Sequence, residues 1–276
     1  MEQIKKPEKS LQPVIANPRS IKSHSAQAPF YKFRVPYSTK MFADLSDFLP
    51  MDPNSIVMDA GCGTGHVTEK LIHHAQHVHA VDGSAEMIEY AKKFGNATFY
   101  TADLNNQKFI VPNGVDHIFF GRSIHHFPTE SIQSLVNNNL REKGALITCS
   151  SEWFADGDWG DTYSRIKKKY EEDANPTSPN NSKSSNVTGH SNLPPLGFVP
   201  QKKFVDAFRV LVDARYLSRL TLARAYGTAL DNLLNRFDDF EAEMQRALLP
   251  HLINGKLKMI IRSWAFVWRR NESDGK

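Results

Sequence analysis

A chain of 276 residues that is 40% hydrophobic and 23% charged has enough apolar content to bury a normal core, which excludes a disordered or fibrous protein. The net charge of +4 is small and scattered and argues against a dedicated nucleic-acid binder, although the first forty residues carry eight Lys or Arg against two Glu. No apolar run reaches the roughly 18 residues that cross a bilayer, MEQIKKPEKSLQP lacks an apolar signal core, and two cysteines make no disulfide framework, so a soluble, cytoplasmic protein is expected.

In chain order, residues 1–28 mix Lys, Pro, Ser and Gln with few large apolar groups, and a flexible basic tail is expected. Order is predicted to begin where Phe30, Tyr31, Phe33 and Tyr37 crowd together, followed by a helical pattern through Met41, Phe42, Leu45, Phe48 and Leu49. SIVMDA then reads as a strand, Thr64 to His74 as a helix, HVHAVD as a strand, Ser84 to Phe94 as a helix capped by Ser84, and ATFYTAD as a strand. VDHIFFG, Thr129 to Asn138 and GALITCS continue as strand, helix and strand. Strands alternating with helices imply right-handed crossovers and a parallel sheet covered on both faces, a doubly wound α/β core over 29–150.

After Ser150 the rhythm breaks. An aromatic stretch runs into a polar helix, and 173–200 are rich in Asn, Ser and Pro, so 151–205 read as a cap or lid insertion. Residues 206–270 read as the rest of the core sheet: a strand at FRVLVDARYL, helices around Leu222 to Leu234 and Phe237 to Leu249, and LKMIIRSWAFVW as an edge or hairpin strand. The fold expected is thus a mostly parallel, seven-stranded sheet with an antiparallel last strand and an insertion after strand five.

Asp59-Ala-Gly-Cys-Gly-Thr-Gly65 follows a predicted strand and opens a predicted helix, the setting of a nucleotide loop. Gly61, Gly63 and Gly65 let the backbone turn and approach a ligand. Asp59 at the threshold would repel a pyrophosphate and attract an ammonium, which favours a sulfonium nucleoside over a dinucleotide. Asp82, followed by Gly83, ends the second strand where a carboxylate can accept ribose hydroxyls, and Asp103 ends the third within reach of an adenine amino group. Each acid also has a plain reading as the cap of the helix behind it.

This pattern resembles the class I, Rossmann-like S-adenosylmethionine-dependent methyltransferases, whose hallmark is D-x-G-x-G-x-G, an acid ending strand two and an acid after strand three. RVPYS at Arg34 to Ser38 looks like the family's R-P-x-Y-P segment, with Val35 and Ser38 replacing the two prolines, and GRSIHHF at Gly121 to Phe127 looks like its signature after strand four. YLSRLTLARAYGTAL and KMIIRSWAFVWRR are similar to the small-molecule branch of trans-aconitate and ubiquinone-pathway methyltransferases. The resemblance implies S-adenosyl-L-methionine as cofactor and S-adenosyl-L-homocysteine as its product, with Arg34 among the cofactor's contacts. It also implies that Met87 packs on the adenine, Leu104 walls it and the Gly121 backbone passes the methionine part. Met87 reads equally as the core residue of an amphipathic helix.

Methyl transfer is an in-line displacement that the protein serves by alignment and exclusion of water. His125 and His126, just past the fourth strand, are the candidate bases or orienting donors, with His125 preferred because it matches the family's histidine. Arg122, Arg219, Arg224 and Tyr226 are candidates for a carboxylate-bearing small-molecule acceptor. Trp153, Phe154 and Trp159 are candidates for an apolar cap over it or for ordinary sheet packing. No metal site and no membrane partner are expected, and the oligomeric state expected is a monomer or weak homodimer. The rival readings are a nicotinamide dehydrogenase, disfavoured by Asp59 and the glycine spacing, a tRNA or rRNA methyltransferase, and a regulator that binds the cofactor without turnover.

Overall fold

The computed structural model describes residues 27–49, 51–172 and 197–271. The predicted tail lies almost wholly outside these residues, as does the Asn- and Ser-rich part of the predicted lid, 173–196.

Seven strands form one sheet: β1 (Ile56–Ala60), β2 (His77–Asp82), β3 (Ala97–Thr101), β4 (Val115–Gly121), β5 (Leu140–Ala155), β6 (Phe198–Val212) and β7 (Leu257–Arg270), in the order β3-β2-β1-β4-β5-β7-β6. β1 to β5 pair in parallel, and β7 runs antiparallel to both β5 and β6. The predicted α/β sheet with one antiparallel strand is therefore what the chain adopts. The last strand is not an edge or hairpin strand: β7 lies between β5 and β6, and β6 is the edge.

Helix α1 (Thr39–Phe48) is capped by Ser38, whose Oγ accepts from Met41 N. Its apolar face carries Met41, Phe42 and Leu45 onto one side of the sheet, against Val57, Phe119, Ile147 and Val267. Met58, Ile118, Phe120 and Leu146, one step along their strands, point to the other side and pack with Leu135 and Val136. The strands are thus buried on both faces, which is why they read as continuous apolar runs rather than alternating ones.

Short helices fill the first crossovers: α2 (Thr68–Leu71), much shorter than the predicted Thr64 to His74, and α3 (Ala85–Ala91), N-capped by Ser84. Helix α4 (Thr129–Asn139) matches its prediction to within one residue. Beyond Ser150 the sequence reading differs more. β5 does not stop there but runs on to Ala155, so Trp153 and Phe154 are strand residues. Helix α5 (Trp159–Glu171) presents Trp159, Tyr163, Ile166 and Tyr170 from one face.

β6 begins at Phe198, inside the span assigned to the insertion, and ends at Val212; Asp213 then caps α6 (Ala214–Leu222), so ARYL is helix rather than strand. The Asp213 carboxylate accepts from Tyr216 N, a local bond that ends the extended run. Helices α7 (Thr228–Asn235) and α8 (Phe237–Leu248) complete a second layer, in which α5 to α8 bury Leu217, Leu220, Leu233, Phe240 and Met244 against Leu257, Met259 and Ile261 of β7. No helix among the described residues is long and apolar enough to cross a membrane.

Candidate active site

The C-terminal ends of β1, β2, β3 and β4 open into one cleft, where open α/β sheets take ligands. The floor is the glycine turn after β1. Gly61, Gly63 and Gly65 have φ of +69°, +54° and +85°. A Cβ on Gly61 would stand 2.7 Å from Ser123 Cβ, and one on Gly65 would stand 2.9 Å from the Phe94 ring. Gly61 and Gly63 line the cleft, whereas Gly65 serves packing against Phe94 and not the cleft wall. The turn hangs on β2 through Gly61 N and Cys62 N, which both donate to Val81 O.

The three acids divide by position. Asp82 lines the cleft; its Oδ2 accepts from Gly63 N at 2.8 Å and its Oδ1 from Ser84 N at 2.9 Å, so it ties the glycine turn to β2. Asp103 also lines the cleft, its Oδ1 accepting from Asn105 N and its Oδ2 from Asn106 Nδ2.

Asp59 is not on the wall. It is buried beneath the turn, where its Oδ2 accepts from both N and Oγ1 of Thr68 at the start of α2, so the capping reading holds for that oxygen. Its Oδ1 is buried and has no protein partner. Burial pushes the carboxyl up to about 7, against the opposing pull of the two Thr68 hydrogen bonds.

Met87 and Leu104 are both buried and both line the cleft, so Met87 serves core and wall at once. Gly83 and Gly121 line it too, and a Cβ on Gly121 would meet Val67 Cγ2 at 2.3 Å. Close approach at the end of β4 therefore requires glycine. Arg122 follows with φ +58°, an uncommon conformation for a residue with a side chain, held by its N–H to Cys149 O. Its guanidinium lies over the Tyr37 ring at 4.9 Å, with Nη2 at 3.5 Å from His66 Nδ1. His66 is pushed down to about 3, first by burial and then by the charges of Arg122 and Arg34, so it stands as a neutral acceptor.

Of the two histidines, His126 lines the cleft and His125 is exposed. The two rings lie 4.0 Å apart in the 3₁₀ turn Ile124–His126, with His126 on the wall and His125 on the solvent side of the pair. Arg34 is not on the cleft wall; its Nη2 donates to Tyr226 Oη at 2.8 Å and its guanidinium lies over Tyr31 at 4.8 Å. Arg219 stands apart, 3.5 Å from Glu241 and over Phe33. The aromatic cap is not formed by Trp153 and Phe154: Trp153 stacks on Trp159 at 5.7 Å and meets Tyr163 edge-on, under the helical layer, while Phe154 receives Arg262 on a sheet face.

Several cleft residues escaped the sequence reading. Ser123 donates to Ala60 O, Asn105 Nδ2 reaches His126 O, and Ser84 and Phe127 complete the wall. Tyr31, stacked with His66 near Gly63, was visible only as one of a crowd of aromatics. Among the described residues no cluster of His, Cys, Asp or Glu has the makings of a metal site.

These residues fit a sulfonium nucleoside. A turn that a Cβ would fill takes the backbone approach, the unpartnered Asp59 Oδ1 suits an ammonium, and Asp82 and Asp103 place carboxylates on the wall that Met87 makes apolar.

Comparison with known proteins agrees. Residues 57–143, the stretch that builds the glycine turn and β1 to β4, match a family described as the methyltransferase domain. Among curated proteins, the 23S rRNA (uracil(1939)-C(5))-methyltransferase RlmD of Photobacterium profundum is 33% identical over 88 residues, 30% of this chain and 19% of that one. An uncharacterized methyltransferase of Bacillus thuringiensis is 29% identical over 124 residues, 43% of this chain and 58% of that one. The chain thus spans less than two thirds of either relative. Among solved structures, one from Anaeromyxobacter dehalogenans, described as a candidate type II methyltransferase, superposes with a TM-score of 0.60 at 16% identity, over 86% of this chain and 97% of that one, which establishes the shared fold.

Proposed function

We propose that the protein transfers a methyl group from S-adenosyl-L-methionine to a small-molecule acceptor. The observation that carries this reading is the cleft in which the glycine turn, Asp82, Asp103 and Met87 meet at the ends of consecutive parallel strands, within the stretch that matches a methyltransferase domain. When bound, the cofactor supplies an electrophilic methyl on a sulfonium.

The chain's own residues then have separate tasks. Gly61 and Gly63 admit the methionine part, Asp59 Oδ1 and Arg34 answer its ammonium and carboxylate, Asp82 accepts from the ribose hydroxyls, and Asp103, Met87 and Leu104 hold the purine. His126 orients the acceptor and takes its proton where the acceptor is protonated. The apolar wall excludes water, which matters because water is the competing nucleophile.

The test is incubation of the purified protein with methyl-labelled cofactor and, in parallel, a small-molecule extract and total RNA. Label is expected in the small-molecule fraction. His126→Ala should lower the yield by about 10²-fold with S-adenosylhomocysteine affinity held within about twofold, and His125→Ala should change little. Label confined to RNA would overturn the small-molecule reading in favour of a second one, which the local likeness to RlmD supports over 88 residues. Cofactor binding with no labelled product in either fraction would point to a regulator.

A further inference from the structure

Arg122 and the residues that end β3 stand at opposite ends of the cleft. β4 and β3 are three positions apart in the sheet, about 14 Å at the usual strand spacing. Met87, Leu104 and Asp103 occupy the β3 side; Arg122, Arg34 and Arg224 gather on the other.

These three arginines come from unrelated parts of the chain, after the 3₁₀ turn Ala28–Phe33, after β4 and after α6. Among the described residues no carboxylate lies within ion-pair distance of any of them. Arg219, one turn back on α6, differs in this respect, since it shares Glu241 with Arg215. The rings packed around the three are neutral, with the carboxyl groups of Asp82, Asp59 and Glu171 acting on them from further off. Tyr31, Tyr37, Tyr163 and Tyr216 all have phenols raised by burial, and His66 is held uncharged. The charge of Arg224 is disfavoured first by desolvation of its guanidinium and then by the charges of Arg34 and Arg122. Gathering unpaired guanidiniums in partly desolvated surroundings costs free energy unless an anion joins them.

The cofactor does not cancel this charge. It brings one carboxylate against an ammonium and a sulfonium, and that carboxylate suffices for Arg34, which lies over Tyr31 beside the glycine turn. Arg122 and Arg224 are left over. Forked guanidinium donors suit carboxylate and phosphate oxygens, and the aromatic surroundings suit a flat organic body behind them.

We propose that Arg122 and Arg224 hold an oxyanion carried by the methyl acceptor, a carboxylate or a phosphate, so that the acceptor is a small organic acid anchored beside the methyl donor. This rests on the methyltransferase reading of the cleft. The oxyanion is a handle that positions the acceptor.

The test uses the full chain saturated with S-adenosylhomocysteine and titrated calorimetrically with benzoate, citrate and inorganic phosphate at matched ionic strength. Saturable binding of at least one is expected, and whether the carboxylate or the phosphate arm binds identifies the source. Arg122→Gln and Arg224→Gln should each weaken that binding at least about tenfold, a loss of about 1.4 kcal/mol. Arg224→Gln should keep its S-adenosylhomocysteine affinity, and Arg219→Gln should leave the anion's affinity unchanged. The proposal is overturned if no anion binds with the cofactor product in place, if Arg224→Gln binds it equally well, or if the anion displaces S-adenosylhomocysteine. Failure of S-adenosylhomocysteine itself to bind is a different result, one that removes the cofactor reading and this inference with it.

Discussion

The two halves of the sheet are built on different principles. β1 to β4 are joined by crossovers that stay close in sequence, and their chemistry sits in short segments: a glycine turn, an acid after β2, an acid after β3 and a glycine after β4. The other half, β5-β7-β6 with α5 to α8 over it, pairs β5 with a strand more than 100 residues away, as in Ala145 with Arg269, and holds no motif. The first half is organised around a ligand, the second around a core. The two therefore respond to mutation in different currencies, binding in one and stability in the other.

The largest effect that should separate them is in the second half. Trp159 is buried, stacks on Trp153 and donates from Nε1 to Lys258 O. Trp159→Ala should cost about 3–5 kcal/mol of unfolding free energy in denaturant titration, while the folded fraction keeps its affinity for S-adenosylhomocysteine within about twofold. A parallel collapse of affinity would mean that the halves are not separable.

A smaller effect belongs to the first half and depends on pH. Asp59 has a folded pKa of about 7, above the roughly 3.9 of an unfolded chain. The native state therefore binds the extra proton between these values, and the stability due to the neutral buried carboxyl is full below about pH 4, is lost as pH rises toward 7, and changes no further above it. An ammonium beside Oδ1 favours the ionised form, so cofactor binding should release a proton. Affinity should rise by up to about tenfold per pH unit below 7 and flatten above. Calorimetry in two buffers of different ionisation enthalpy reads the proton directly, and Asp59→Asn should abolish the slope. A slope that persists in that variant would remove Asp59 from the ammonium site.

The same division explains what could be read from sequence. Asp82, Asp103, Leu104 and Gly121 were legible as cleft residues because each ends or closely follows a strand, and the strand end determines where it lands. Which of His125 and His126 lines the cleft was not, since one residue of phase in a 3₁₀ turn decides it. Arg219 and Arg224 are five residues apart on and just beyond one helix, and only the tertiary placement of Glu241 distinguishes them. The interior position of β7 was likewise illegible, because an alternating apolar strand looks the same whether one neighbour or two are paired to it. ARYL was misread because β-propensity outweighed a single capping Asp in the pattern, whereas in the fold that Asp decides the boundary.

The central claim is that the cleft of the first half binds a sulfonium nucleoside through Asp82. Thermal unfolding of the full chain with S-adenosylhomocysteine, with NAD and with neither tests it most directly. At about 100 times its Kd, S-adenosylhomocysteine should add about 2.7 kcal/mol, NAD should add nothing, and Asp82→Ala should lose most of the gain while unfolding normally alone. Stabilisation by NAD, or an equal gain from S-adenosylhomocysteine in Asp82→Ala, would contradict the account.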